Sequence, residues 1–282
     1  MKRTAILAAC ALIAACGNPA SKQNNSGLSY LPEQVTAKGT LVIQGGGERV
    51  PIIPETIVAK AGGNGSKILV VPFASGYADE VGPYQATEFE KCGASADYIL
   101  CTKEEIDSPG SLAKLDGVTG IFFSGGDQNR LFAFLNGTKF MDGIRQIYAE
   151  GGVISGTSAG AAVMSRIMLT GNAIGDNSDD FTYVRPNTVE TAEGFGFLNN
   201  VIVDQHFAAR KRQNRLISVL IDNPQYRGVG IDESTAIVVN PDSSFDVIGV
   251  GSVYVFEPFA RIGGEAPAFK TSILYEGDSY RF

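Results

Sequence analysis

The sequence predicts an α/β protein built on an open, mostly parallel sheet flanked by helices, with a mixed, partly antiparallel C-terminal extension. Three observations predict it. In the first half, short runs such as Lys67-Ile68-Leu69-Val70-Val71 are rich in Val and Ile and nearly continuous in apolar character, as strands covered on both faces must be. Helix-length amphipathic stretches separate these runs, which is βαβ order. Beyond Val201 the strand-like runs shorten and fewer helical stretches part them.

The elements follow in order from the N-terminus. Lys2 and Arg3 precede an uncharged run from Thr4 to Ala15. That run has the charge and length of a signal peptide and is too short to span a bilayer as a helix. Residues 1–15 are therefore read as a signal peptide. Ile13-Ala14-Ala15-Cys16 resembles the lipobox of bacterial lipoproteins, in which small residues precede a cysteine that is lipidated. Leu7-Ala8-Ala9-Cys10 fits the same pattern but leaves a shorter apolar core, so Cys16 is the expected lipidation site. Residues 16–37, with Ser21, Gln23, Asn24, Asn25 and Ser26, follow neither apolar period and read as a flexible tether. Residues 38–282 remain as one α/β domain with ample apolar content for a core. The protein is expected to be exported and to meet the membrane through its lipid anchor alone. Loss of residues 1–15 removes two bases and no acid, so the formal charge moves from −7 to −9. That balance disfavours nucleic acid as a partner.

Strands are predicted at Thr40–Ile43, Lys67–Pro72, Tyr98–Cys101, Val118–Phe123 and Gly152–Ile154, with helices at Pro54–Ala61, Asp79–Lys91, Ser111–Leu115 and Lys139–Glu150. The second half gives strands at Val201–Val203, Gly228–Ile231, Ala236–Val239, Ser252–Phe256 and Thr271–Tyr275, and a helix at Ala208–Ile221. Gly45-Gly46-Gly47 follows the first strand, yet lacks the later glycine and the acidic strand tip of a dinucleotide fingerprint, and reads as a tight turn. Cys92 closes a helix and Cys101 ends the next expected strand. A strand length of roughly 15 Å between them argues against the bridge that an oxidising compartment would permit, and the pairing is left open, with two small buried hydrophobes as the alternative. With one histidine and two such cysteines, a metal site lacks ligands and none is expected. No cofactor motif stands out either.

Gly156-Thr157-Ser158-Ala159-Gly160 lies between an apolar strand and the helix-compatible Ala161-Ala162-Val163-Met164. This is the context of a nucleophile elbow. A sharp strand-to-helix turn leaves no room for large neighbours, and it sets the Ser158 hydroxyl at the strand's carboxyl end beside the Ala159 N–H. A serine needs a base, and His206 is the sole histidine. It follows Val201-Ile202-Val203, which puts it too at a carboxyl end. The carboxylate that orients the imidazole is read as Glu233, just past Gly228–Ile231, with Asp232 as the rival. Arg210, Lys211 and Arg212 crowd the start of the expected helix, where the macrodipole disfavours cations unless an anion is bound. Arg212 and Arg215 would share a face at i, i+3.

The order serine, histidine, acid differs from the serine, acid, histidine order of α/β-hydrolases. It matches the flavodoxin-like fold of class I glutamine amidotransferases, with serine in place of cysteine. The stretches Phe123-Ser124-Gly125-Gly126-Asp127-Gln128, Ser155–Ala161, Asp204-Gln205-His206-Phe207 with Arg210, Arg212 and Arg215, and Gly230-Ile231-Asp232-Glu233 resemble the cyanophycinases of the S51 serine peptidase family, in the right order from about Gly39 onward. The resemblance implies hydrolysis of cyanophycin, a polyaspartate whose side-chain carboxylates carry arginine, to β-Asp-Arg dipeptides. It implies a second oxyanion-hole N–H from Gly126 or Asp127. It further implies a substrate site lined by Gln128, Asp204, Gln205, Arg210, Arg212 and Arg215. An α-aspartyl dipeptidase of the same family, and a surface lipoprotein that binds peptide or polymer without turnover, are the alternatives. A homodimer is left open.

Overall fold

A computed structural model describes residues 38–175, 181–259 and 268–282. The signal peptide, tether and Cys16 predicted above lie outside the described residues. In chain order the first half runs β1 (Thr40–Gln44), α1 (Ile52–Lys60), β2 (Lys67–Val71), α2 (Ala78–Lys91), β3 (Ser95–Tyr98), α3 (Pro109–Ala113), β4 (Gly120–Phe123), α4 (Gln128–Leu135), α5 (Lys139–Glu150), β5 (Val153–Thr157) and α6 (Ala159–Ala162). There follow β6 (Ile167–Ala173), β7 (Val189–Glu193), β8 (Val201–Gln205), α7 (Gln213–Asp222), β9 (Arg227–Ile231), β10 (Thr235–Val239), β11 (Ser244–Gly249), β12 (Val253–Phe259), β13 (Ala268–Leu274) and β14 (Ser279–Arg281).

Among the described residues the central sheet has eight strands in the order β14-β11-β10-β1-β5-β4-β2-β3. From β1 to β3 the pairing is parallel; β10, β11 and β14 continue it antiparallel beyond β1. The predicted α/β class with a mostly parallel sheet is thus the observed one. Alternation along the strands sorts side chains to two cores. Leu41, Ile43, Leu69, Val71, Ile121 and Phe123 face one, with α4, α5 and α6 packed on it. Val42, Ile68, Val70 and Phe122 face the other, under α1 and α2. A second sheet, β13-β12-β9-β8, lies on the first of these cores through Val201, Val203, Val229 and Ile231, and buries its other face against α7. The C-terminal strands therefore divide between two sheets.

Several elements differ from expectation, among them the unanticipated strands β11 and β14. The third strand is Ser95–Tyr98 and not Tyr98–Cys101. As an edge strand with one neighbour it is only half covered and carries polar residues, while the apolar Ile99 beyond it turns into the core. Cys92 consequently packs on one side of the sheet and Cys101 on the other, and both are free thiols. The helix expected from Ala208 begins at Gln213, because residues 206–212 form a bend and turns in which His206 and Lys211 take positive φ values of 49° and 54°. Helix α4 was not anticipated, although Asp127 caps it by accepting from the Asn129 and Arg130 N–H groups and Leu131 and Leu135 bury one face. The β6–β7 hairpin was not anticipated either.

Candidate active site

Five strands deliver their carboxyl ends to one place: β1, β4 and β5 from the central sheet, β8 and β9 from the second. Such ends are where open α/β sheets bind ligands. At the tip of β5, Ser158 has φ 52° and ψ −108° and leads directly into α6. Its glycine neighbours are sterically required. A Cβ on Gly156 would stand 2.5 Å from the Gly160 carbonyl oxygen, and one on Gly160 would stand 2.3 Å from that of Phe123.

His206 follows β8 and is 6% exposed. Its Nε2 lies 2.9 Å from Ser158 Oγ and its Nδ1 lies 2.6 Å from Glu233 Oε1. The tautomer that satisfies both contacts carries its proton on Nδ1, donates to Glu233 and accepts from the serine hydroxyl. Burial lowers the His206 pKa below the ordinary value; the Glu233 hydrogen bond opposes this, and the positive charge of Arg210 adds to it. Asp232, the rival carboxylate, is engaged elsewhere: its Oδ1 accepts from the N–H groups of Ala209 at 3.0 Å and Glu233 at 2.8 Å.

After β4 the turn Ser124–Asp127 abuts the serine, with the Cβ direction of Gly125 pointing to Ser158 Cβ at 3.4 Å. Of the two expected second donors, the Asp127 N–H is already bound to the Ala74 carbonyl at 2.9 Å. Gly126 remains, at φ 140°, where any Cβ would collide with that same carbonyl. The Ala159 N–H belongs to the first turn of α6, whose N–H groups lack intrahelical acceptors.

Ser158 opens on a cavity of about 310 Å³. Gly126, Gln128, Gln205, Arg210, Arg212 and Arg215 all contribute to its wall. Asp204 does not: it is fully buried and holds Arg215 through two hydrogen bonds, Nε to Oδ2 at 2.8 Å and a terminal nitrogen to Oδ1 at 2.5 Å. Asp204, expected to line the substrate site, lies behind the cavity wall, while Arg215 contributes to the wall and is neutralised by Asp204 in the interior. Arg212 is held by Gln205, whose backbone and side-chain oxygens accept from it at 2.7 and 2.5 Å. Burial, with Arg215 beside it, lowers the Arg212 pKa to about 10. Its nearest carboxylate, Asp204 Oδ1 at 3.9 Å, is shared with Arg215, which holds it at closer range. Gln128 spends its amide nitrogen on the carbonyls of Leu169 and Thr170, at 3.0 and 2.6 Å.

The far wall comes from β6, through Thr170 and Asn172, which sequence reasoning missed. Both donate to Glu190 Oε2 on β7, at 2.7 and 2.8 Å, which draws the Glu190 carboxyl below its ordinary pKa. No local motif marks these residues; their grouping arises from a hairpin whose strands are far apart in sequence. Among the described residues, no group of three or more His, Cys, Asp and Glu is arranged to hold a metal ion.

Residues 41–247 match the model of the family described as Peptidase family S51. A cyanophycinase of Trichormus variabilis is 37% identical over 230 residues, covering 80% of this chain and 75% of that protein. A cyanophycinase of Synechococcus elongatus is 36% identical over 262 residues, covering 86% and 79%. Among solved structures, a peptidase from an acI-B1 Actinobacterium superposes with a TM-score of 0.66 at 24% identity, over 88% of this chain and 99% of that one.

Proposed function

This chain belongs to peptidase family S51 and is a serine-type peptidase, and from that premise we propose that it hydrolyses cyanophycin to β-Asp-Arg dipeptides with Ser158 as nucleophile. The observation that carries the reading is the relay from Ser158 Oγ through His206 to Glu233, at 2.9 and 2.6 Å, opening on a cavity walled by Arg210 and Arg212. His206 Nε2 takes the hydroxyl proton as Ser158 Oγ attacks the backbone carbonyl of the polymer. Glu233 fixes the tautomer and steadies the imidazolium. The Gly126 and Ala159 N–H groups receive the developing oxyanion. His206 then passes its proton to the leaving amine, and water attacks the acyl-enzyme by the same route in reverse. Arg210 and Arg212 supply positive charge for the substrate's carboxylates, and Gln205 sets the Arg212 fork in place. Export and anchoring through Cys16 complete the proposal: the enzyme works on polymer outside the cytoplasm.

Purified protein incubated with cyanophycin is expected to release β-Asp-Arg, identified by mass and by comparison with synthetic α- and β-Asp-Arg. Ser158→Ala is expected to lose about three or more orders of magnitude in kcat with unchanged thermal unfolding. Cleavage of α-aspartyl dipeptides with the polymer left intact would make it a dipeptidase of the same family, and a Ser158→Ala enzyme retaining a large part of its turnover would remove Ser158 from the role.

A further inference from the structure

Strand β1 ends at Gln44, and Gly45-Gly46-Gly47 follows. Three consecutive carbonyls of this segment accept hydrogen bonds from three distant parts of the chain: Gln44 from the Ser158 N–H at 3.1 Å, Gly45 from that of His206 at 2.6 Å, and Gly46 from that of Ser234 at 2.8 Å. Two of the donors belong to the relay, and the third directly follows Glu233. All three are non-glycine residues with left-handed backbone, φ 52°, 49° and 54°. Such conformations are strained and persist only where surrounding structure over-determines them. Here the over-determination comes from one turn.

The turn also touches the side chains. A Cβ on Gly46, whose φ is 104°, would stand 2.2 Å from His206 Cε1 and 2.4 Å from its Nε2, so the Gly46 backbone lies against the imidazole. A Cβ on Gly47 would stand 2.7 Å from that of Glu233. Behind the turn, Gln44 is 1% exposed, and its amide nitrogen donates to the carbonyls of Gly46 at 3.2 Å and Glu48 at 3.3 Å. Its Oε1 is buried without a partner. A half-satisfied buried amide is unfavourable compared with an apolar side chain of the same shape, and its presence asks for a reason.

We infer that the Gln44–Gly47 turn is the jig that holds His206 between Ser158 and Glu233, and that the Gln44 side chain is a positioning residue for catalysis, acting through Gly46. The inference rests on the reading of Ser158, His206 and Glu233 as the relay. Gln44 touches neither substrate nor the reacting atoms. Its amide closes the turn so that Gly46 stays pressed on the ring and the three strained residues stay fastened. The charged groups that act on His206 are Glu233, Arg210 and Arg212, and none of them is altered by a change at Gln44.

Gln44→Met tests this, since it keeps length, removes the donor and also removes the unsatisfied oxygen. His206 is the only histidine, so in tag-free protein its imidazole titration is read by NMR without assignment. The expected result is a kcat on cyanophycin reduced on the order of 10- to 100-fold with KM within about twofold, because small displacements of a catalytic group act on the chemical step. The His206 midpoint should rise toward the ordinary value as the ring loses its cover, with thermal unfolding unchanged. Gly46→Ala, which collides with the ring, is expected to move the same midpoint and to lose more activity. Wild-type kcat and an unmoved titration in Gln44→Met would overturn the inference. So would a loss of kcat that merely tracks a loss of thermal stability while His206 titrates as in wild type. These outcomes are separate from failure of the relay itself, which would show as activity surviving in Ser158→Ala.

Discussion

As the proposed general base His206 must be neutral, so its environment would set the acidic edge of activity. Burial and the charge of Arg210 push its pKa down, against the pull of Glu233. A lowered pKa keeps the base form populated in more acidic solution, so the acidic limb of kcat/KM should fall below about pH 6.5. Removing one positive neighbour reverses part of this. Arg210→Gln is expected to raise the His206 pKa and move that limb to higher pH, more at low ionic strength than at high. Profiles of kcat/KM against pH for the two enzymes check it; a limb that stays put, or moves to lower pH, contradicts the electrostatic account. The loss of an arginine from the cavity wall changes the height of the profile as well, but its position reports His206.

At the scale of elements, the turn at residues 207–212 and helix α7 give neighbouring arginines different duties. Arg215 lies inside α7 with a buried carboxylate; Arg212 is the N-cap residue, held by Gln205 and facing the cavity. Arg215→Ala removes both side-chain hydrogen bonds to the fully buried Asp204 and leaves it Arg212 at 3.9 Å as its remaining cation. Breaking a buried pair on one side typically costs about 3–5 kcal/mol, so thermal unfolding should drop and all substrates should suffer alike. Arg212→Ala should leave unfolding nearly unchanged and reduce kcat/KM on cyanophycin much more than on a small activated ester, which needs no carboxylate recognition. Lys at position 212 should rescue poorly, since it lacks the fork. Equal losses on both substrates for Arg212→Ala would assign it a structural role instead. The sequence made the two arginines look like one face, because i, i+3 spacing was applied to a helix starting at Ala208. That helix starts late because the His206 N–H is drawn to the Gly45 carbonyl across the site, a cause that no local pattern records. The elbow was legible for the opposite reason: Gly156 and Gly160 are demanded by contacts within the strand-turn-helix itself and with the adjacent β4. The parallel strands were legible from their own composition, while the polar edge strand β3, the β6–β7 hairpin and the part played by Gly45-Gly46-Gly47 depend on partners far along the chain.

At the scale of the whole molecule, the proposed anchor is tested separately from the site. On the proposed lipobox reading, Cys16→Ser is expected to move the protein from the membrane fraction to the soluble one with kcat/KM unchanged. Retention of the variant on membranes would refute the lipobox reading. Among the described residues no helix is long and apolar enough to cross a membrane. The sheet itself has an order of assembly written into it. Strand β1 is synthesised early but sits in the middle, with Leu41 paired to Ile154 on one side and to Val239 on the other. Contacts so distant in sequence close late and slowly. Until the ribosome has passed Val239 the first strand lacks one of its two neighbours, and Ser234, the last of the three residues that the following turn fastens, is made only shortly before. Glu233 and Val239 come so late in the chain that neither the proposed relay nor the centre of the sheet can be complete until most of the chain has been made.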